Sequence, residues 1–232
     1  MKKELRKNQI ARIPSGIKGF DKLIEGGIEK DSINLVVGDS GSGKSIFSMQ
    51  FLVEGLKRGE KCLFVTFEEK KKEVYEDMAR FGWDLEKYEK EGKFFFLEYN
   101  PEKVKMMIEE GGGEIESLVL KQKISRLVID SITSFSLLFE DELEKREAAL
   151  TLFDLIKRWG ITTILTLQEN PIERKSGSSP IEFEADSIIL MYFIKKGNKR
   201  ERFIEIYKMR GTDHSTETHK MEITEKGIEI LD

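Results

Sequence analysis

Ten residues, VVGDSGSGKS from Val36 to Ser45, restrict what this chain can fold into more than any other stretch of it. They spell glycine, four residues, glycine, lysine and serine, between the β-rich run INLVVG and an amphipathic helical pattern. Gly38, Gly41 and Gly43 let the backbone curl so that the N–H groups along Asp39, Ser40, Gly41, Ser42 and Gly43 point inward at phosphate oxygens. Lys44, Ser45 and Ile46 then open a helix whose N-terminus adds partial positive charge. Lys44 can reach the β- and γ-phosphates of a nucleotide, and the Ser45 hydroxyl can ligate Mg²⁺. A strand, a phosphate loop and a helix in that order belong to an α/β layer.

The remaining pattern agrees. Apolar runs at INLVVG, CLFVTFEE, KFFFLEY, RLVIDS, ITTILTLQ and SIILMYFI lack strict alternation, and helical segments follow Lys44, Lys71, Pro101 and Glu142. Strands covered on both faces of a mostly parallel sheet read this way. RFIEIYKMR and KMEITEKGIEIL follow in quick succession, which predicts antiparallel C-terminal strands. Three glycines, Gly111 to Gly113, interrupt what would otherwise be one helix before RLVID, and a break is expected there. The charged opening, residues 1–12, is read as a flexible basic arm, and residues 13–232 as a single domain.

Composition narrows the function classes. The formal net charge is −4, from 39 basic and 43 acidic residues, so no bulk basic field draws nucleic acid and any such contact must be local. Cys62 is the only cysteine, which excludes an internal disulfide or a cysteine-based zinc site, and within its apolar strand it is expected in the core, as Trp83 and Trp159 are expected to pack. With no leader and no long apolar run, the chain reads as cytoplasmic with no membrane span. The high Lys and Glu content, with charged residues at 35%, is similar to that of hyperthermophile proteins.

Carboxylates at strand ends supply the second half of a site. Asp130 closes the apolar run RLVID, and Mg²⁺ would give such a carboxylate a partner. Glu68 and Glu69 end FVTFEE, where one of them can polarise a water in line with the γ-phosphate; alternation along a strand would let only one face it. Gln168, closing ILTLQ, is placed to sense the γ-phosphate.

These residues, with RIPSGIKGFDKLIEGGI, FGWDL, LVIDSIT, EFEAD and KMRGTDH in order along nearly the whole chain, resemble the RecA superfamily of ATPases. Within it they resemble specifically the single-domain archaeal relatives of the circadian clock ATPase KaiC. The resemblance implies a RecA-like P-loop core, slow hydrolysis of ATP to ADP with Mg²⁺, and a homo-oligomeric ring, usually a hexamer, with nucleotide between subunits. It implies further that Lys208 and Arg210 reach across to the neighbour's γ-phosphate, with His214 close by, so that nucleotide state regulates assembly or partners. Clock-style autophosphorylation is not expected, because Glu182 and Phe183 stand where the phosphorylating clock domain has a Ser-Thr pair, although Ser176, Ser178 and Ser179 lie near.

A second reading makes the chain an ATP-gated DNA-binding accessory factor of recombination or repair. Its DNA loops would be SFSLLFEDELEKRE, which is acidic, and ENPIERKSGSSPIEFE, which offers Arg174 and Lys175. That mixture allows weak, salt-sensitive contact with single-stranded DNA at most.

Overall fold

The computed structural model describes residues 11–100, 103, 106–107, 110–133, 139, 141–173 and 180–231. Residues 1–10 of the predicted arm, Ser176, Ser178, Ser179, Arg174, Lys175 and much of both predicted DNA loops lie outside the described residues, as does most of the helical segment after Pro101. Arg12, assigned to the arm by sequence, is strand: β1 (Arg12–Ile13) pairs antiparallel with β2 (Ile28–Glu29).

The sheet grows from β3 (Ile33–Gly38), which runs into helix α1 (Lys44–Lys57) through the phosphate loop. Next come β4 (Cys62–Thr66), α2 (Lys71–Ala79), α3 (Leu85–Lys90), β5 (Phe94–Glu98), α4 (Gly113–Gln122) and β6 (Arg126–Asp130). They are followed by α5 (Glu142–Trp159), β7 (Thr162–Gln168) and the short α6 (Pro180–Glu184). The chain closes with β8 (Ser187–Lys196), β9 (Lys199–Met209), β10 (Thr218–Thr224) and β11 (Gly227–Ile230). Nine of these strands form one sheet in the order β11-β10-β9-β8-β3-β7-β6-β4-β5, parallel from β8 through β5 and antiparallel from β8 through β11. KMEITEKGIEIL, expected as one strand, is two, because Gly227 takes φ 109° after a tight turn.

Strand alternation explains the two-sided core. Val36, Phe64, Val128, Ile164 and Ile189 face α1 to α3 on one side, while Leu35, Val37, Leu63, Leu127, Ile129 and Leu165 face α4 and α5 on the other. Both clusters are buried, so β3 reads as a continuous apolar run. Cys62, Trp83 and Trp159 are buried, as expected. The triple glycine does break the helix: Gly111, Gly112 and Gly113 have φ 75°, 120° and 51°, and α4 starts only at Gly113. A side chain on Gly112 would meet Glu116 and the Trp159 ring.

Parallel strands all end on the same edge. That edge carries the phosphate loop after β3, the Glu68–Glu69 turn after β4, Asp130 at the end of β6 and Gln168 at the end of β7.

Candidate functional site: a phosphate-loop cleft

A cleft of about 440 Å³ opens at this edge, lined by Ser40, Gly41, Gly43, Lys44, Ser45, Ile46, Glu68, Glu69, Asp130, Ser131, Gln168, Arg202 and Ile223. The loop is built as its glycines demand. Gly41 and Gly43 have φ 76° and 108°, and a side chain on Gly38 would collide with the Met191 carbonyl and the Ser42 hydroxyl. The Lys44 ammonium folds back into the loop and donates to the carbonyls of Gly38 (2.9 Å) and Asp39 (3.0 Å). Burial pulls its pKa below the ordinary lysine value, against the pull of Asp130, Asp39 and Glu68. An anion in the loop would offset that desolvation, which is what a phosphate group brings.

Asp130 is held on one side only. Its Oδ1 accepts a hydrogen bond from the Thr166 hydroxyl, whereas its Oδ2 is buried with no hydrogen-bond partner. A buried carboxylate oxygen with no donor is costly, and a cation resolves it. Asp130 and Ser45 line the same cleft, a set that suits Mg²⁺, which takes one or two protein oxygens and completes its octahedron with phosphate and water. Among the described residues no group of three or more His, Cys, Asp or Glu forms an all-protein metal cage.

The two glutamates do not follow the strand alternation expected of them. β4 stops at Thr66, whose hydroxyl accepts the N–H groups of both Glu68 (3.2 Å) and Glu69 (3.1 Å), so strand alternation no longer applies and both residues line the site. They are not equivalent. Glu68 accepts a hydrogen bond from the Ser131 hydroxyl at 3.0 Å and acts electrostatically on Lys44. Glu69 lies toward α2, facing Asp77; partial burial raises its pKa, and Asp130, Asp77, Glu68 and Glu73 raise it further.

Three members of the cleft were not found from sequence. Arg202 on β9 donates from Nε to the Gly41 carbonyl (3.0 Å) and lies over the Phe193 ring at 4.2 Å, so it ties β9 to the phosphate loop. Burial lowers its pKa. Ser131 and Ile223 complete the lining. No sequence spacing marks Arg202: only the register, Arg202 opposite Phe193, brings it there.

Lys208, Arg210 and His214 are not in this cleft. Lys208 pairs with Ile188, and Ile188 with Leu35, three residues before Gly38. At ~3.3 Å per residue this is ~10 Å back along the sheet, toward the edge away from the phosphate loop. There Lys208 donates to the carbonyls of Glu182 (3.0 Å) and Ala185 (2.7 Å), and Arg210 to that of Phe183 (2.5 Å) with Asp186 at 3.6 Å. Both cations therefore cap the C-terminal carbonyls of α6. His214 Nδ1 is 2.9 Å from the Ser215 carbonyl oxygen.

A larger groove of about 890 Å³ lies elsewhere, between α2 and α3, with Tyr75, Trp83 and Leu85 in its walls. It contains none of the phosphate-binding groups.

The comparisons with known proteins agree with this geometry. A family profile described as "ATPase: KaiC" matches residues 13–232. The chain belongs to the KaiC ATPase family. The KaiC-family chain is 36% identical over 233 residues to a circadian clock protein, KaiC3, of Synechocystis, covering 96% of this chain and 46% of that protein. It thus spans about half the length of the clock relatives it matches. It is 34% identical to a UPF0273 protein of Thermotoga maritima, covering 95% of this chain and 96% of that one. A crystal structure of a KaiC-like protein from the hyperthermophilic archaeon Pyrococcus horikoshii superposes with a TM-score of 0.86 at 37% identity, covering 97% of this chain and all of that one. The RecA-like α/β architecture expected from sequence is the fold observed. Among the described residues no helix is long and apolar enough to cross a membrane.

Proposed function

We propose that this KaiC-family ATPase binds ATP with Mg²⁺ at the phosphate loop and hydrolyses it slowly, at a site completed by Lys208 and Arg210 of a neighbouring copy in a ring. One observation carries the proposal. The cleft gathers Lys44, Ser45, Asp130, Glu68 and Gln168 on one edge of the sheet, while Lys208 and Arg210, at and just past the end of β9, stand too far back to reach that cleft in their own chain.

In this reading Lys44 exchanges the Gly38 and Asp39 carbonyls for the β- and γ-phosphate oxygens. Ser45 and Asp130 Oδ2 would hold Mg²⁺, which would supply positive charge against that of the phosphates. Glu68, oriented by Ser131, accepts a proton from the attacking water; it is chosen over Glu69 because it faces Lys44. Gln168 meets the γ-phosphate, and Arg202 steadies Gly41. The neighbour's Lys208 and Arg210 neutralise charge developing on the transferred phosphoryl group. Each must first leave the α6 carbonyls, so hydrolysis waits on a conformational exchange, and slow turnover follows. Nucleotide state and assembly are thereby linked.

The test pairs two variants. Lys44→Ala should lose nucleotide binding by calorimetry. Lys208→Ala with Arg210→Ala should keep ATP affinity while turnover falls roughly 10³-fold or more, the scale of a lost arginine finger. Undiminished turnover in the double variant would reject the trans cations.

A further inference from the structure

The hairpin that joins β8 to β9 breaks a local rule. Its register sets Lys195 directly opposite Arg200 and Lys196 directly opposite Lys199, two successive cross-strand pairs of like charge. Such pairs destabilise a ribbon on their own. Residues 195 to 200 are all exposed, and the turn between the strands is the two-residue Gly197-Asn198, with Gly197 at φ 60°. The chain as a whole is acidic, so this concentration does not follow from composition.

Cross-strand partners share a face, so each side of the ribbon is cationic. Lys195, Arg200 and Arg202 lie on one face with Phe193, over which both arginines sit, at 5.2 and 4.2 Å. None of these three makes a salt bridge among the described residues. On the other face Lys196 and Lys199 share a side with Glu201, which is 3.6 Å from Lys196 and also engages Lys220 at 3.2 Å. Met191 is in register with Gly38, so residues 192 to 196 carry the ribbon past the end of β3 and beyond the phosphate loop.

A flat acidic protein surface would neutralise one face of such a finger and leave the other repelling itself. A duplex groove has phosphates along both walls, and the B-DNA major groove, ~12 Å wide and ~8.5 Å deep, admits a two-stranded β-ribbon. Three residues from each strand at ~3.4 Å per residue give a tip of matching depth. Carboxylates of a second copy are also the weaker match, because many already hold cations of their own, among them Glu54, Glu89, Glu98, Glu184 and Glu229. We propose that the β8–β9 hairpin is a finger that binds the phosphate backbone of double-stranded DNA without reading sequence. This site is separate from the two predicted single-strand loops and does not depend on the ring.

Fluorescence anisotropy with a labelled 30-base-pair duplex tests it, using the full chain and the variant Lys195→Gln/Lys196→Gln/Lys199→Gln/Arg200→Gln. With four phosphates engaged, log affinity should fall against log salt with a slope of about −3.6 for the unaltered chain. The fourfold variant should lose binding, with its ATP turnover kept and its thermal midpoint kept or raised by removal of the like-charge pairs, and Lys199→Gln alone should bring the slope to about −2.7. Absence of binding at 50 mM salt, or equal binding by chain and variant, overturns the proposal. So does a variant whose only change is its oligomeric mass, which would make the finger a contact between copies.

Discussion

At the scale of single residues, the partners of the site's charged groups set what it can bind. Asp130 Oδ2 has none, Lys44 is turned onto backbone carbonyls, and Glu69 is surrounded by carboxylates. Thr166→Val removes the donor to Asp130 Oδ1 and should lower stability by ~1–3 kcal/mol in urea melts, the cost of stranding a buried acceptor. Mg²⁺-dependent stabilisation by ATP should weaken with it. Glu69 gives a pH signature. Its folded-state pKa is raised, so whatever the neutral form contributes is present at low pH and is lost as pH rises through the folded value. Glu69→Gln should therefore raise the thermal midpoint of the nucleotide-free protein more at pH 8 than at pH 5; an equal gain at both contradicts the shift. The phosphate loop and Asp130 were legible in sequence because glycine spacing and a terminal carboxylate carry their own chemistry. The distinction between Glu68 and Glu69 was not, because it depends on the Thr66 hydroxyl ending the strand early.

At the scale of elements, register decides what sequence leaves open. The parallel order from β8 to β5 follows from apolar runs separated by helices, and the glycine break before α4 was visible as three residues that cost a helix. Arg202 and Lys208 look alike in the sequence, basic residues six apart on one strand, yet one lies at the phosphate loop and the other at α6. Arg126 likewise reads as a polar start to β6, although it is fully buried. Its guanidinium pairs with Glu60 at 2.7 Å, donates to the Pro14 and Phe51 carbonyls and lies over the Phe51 ring, so it fastens β6 to α1 and to the segment that follows β1. Burial works to raise the Glu60 pKa, but the hydrogen bonds and charge of Arg126 outweigh it and hold the carboxyl below its ordinary value. Glu60→Ala strands a buried cation and should cost ~3–5 kcal/mol in chemical denaturation. A loss under 1 kcal/mol would show that the carbonyls alone suffice.

At the scale of the whole molecule, the proposed mechanism divides one reaction between the two edges of one sheet. The phosphate-loop edge holds the groups proposed to bind nucleotide, and the α6 edge holds Lys208 and Arg210; a head-to-tail contact between copies would join them, and such contacts form a ring when the rotation closes. Mg-ATP should raise the mass in solution to a fixed multiple of 26.9 kDa. The most direct measurement mixes two inactive chains, Lys44→Ala and Lys208→Ala/Arg210→Ala, and follows phosphate release. A random ring of equal parts restores an intact phosphate loop facing intact cations at about one interface in four, so turnover should recover to about a quarter of the unaltered rate per site. If the mixture stays as inactive as its parts while subunits demonstrably exchange, the two halves do not meet across a subunit boundary.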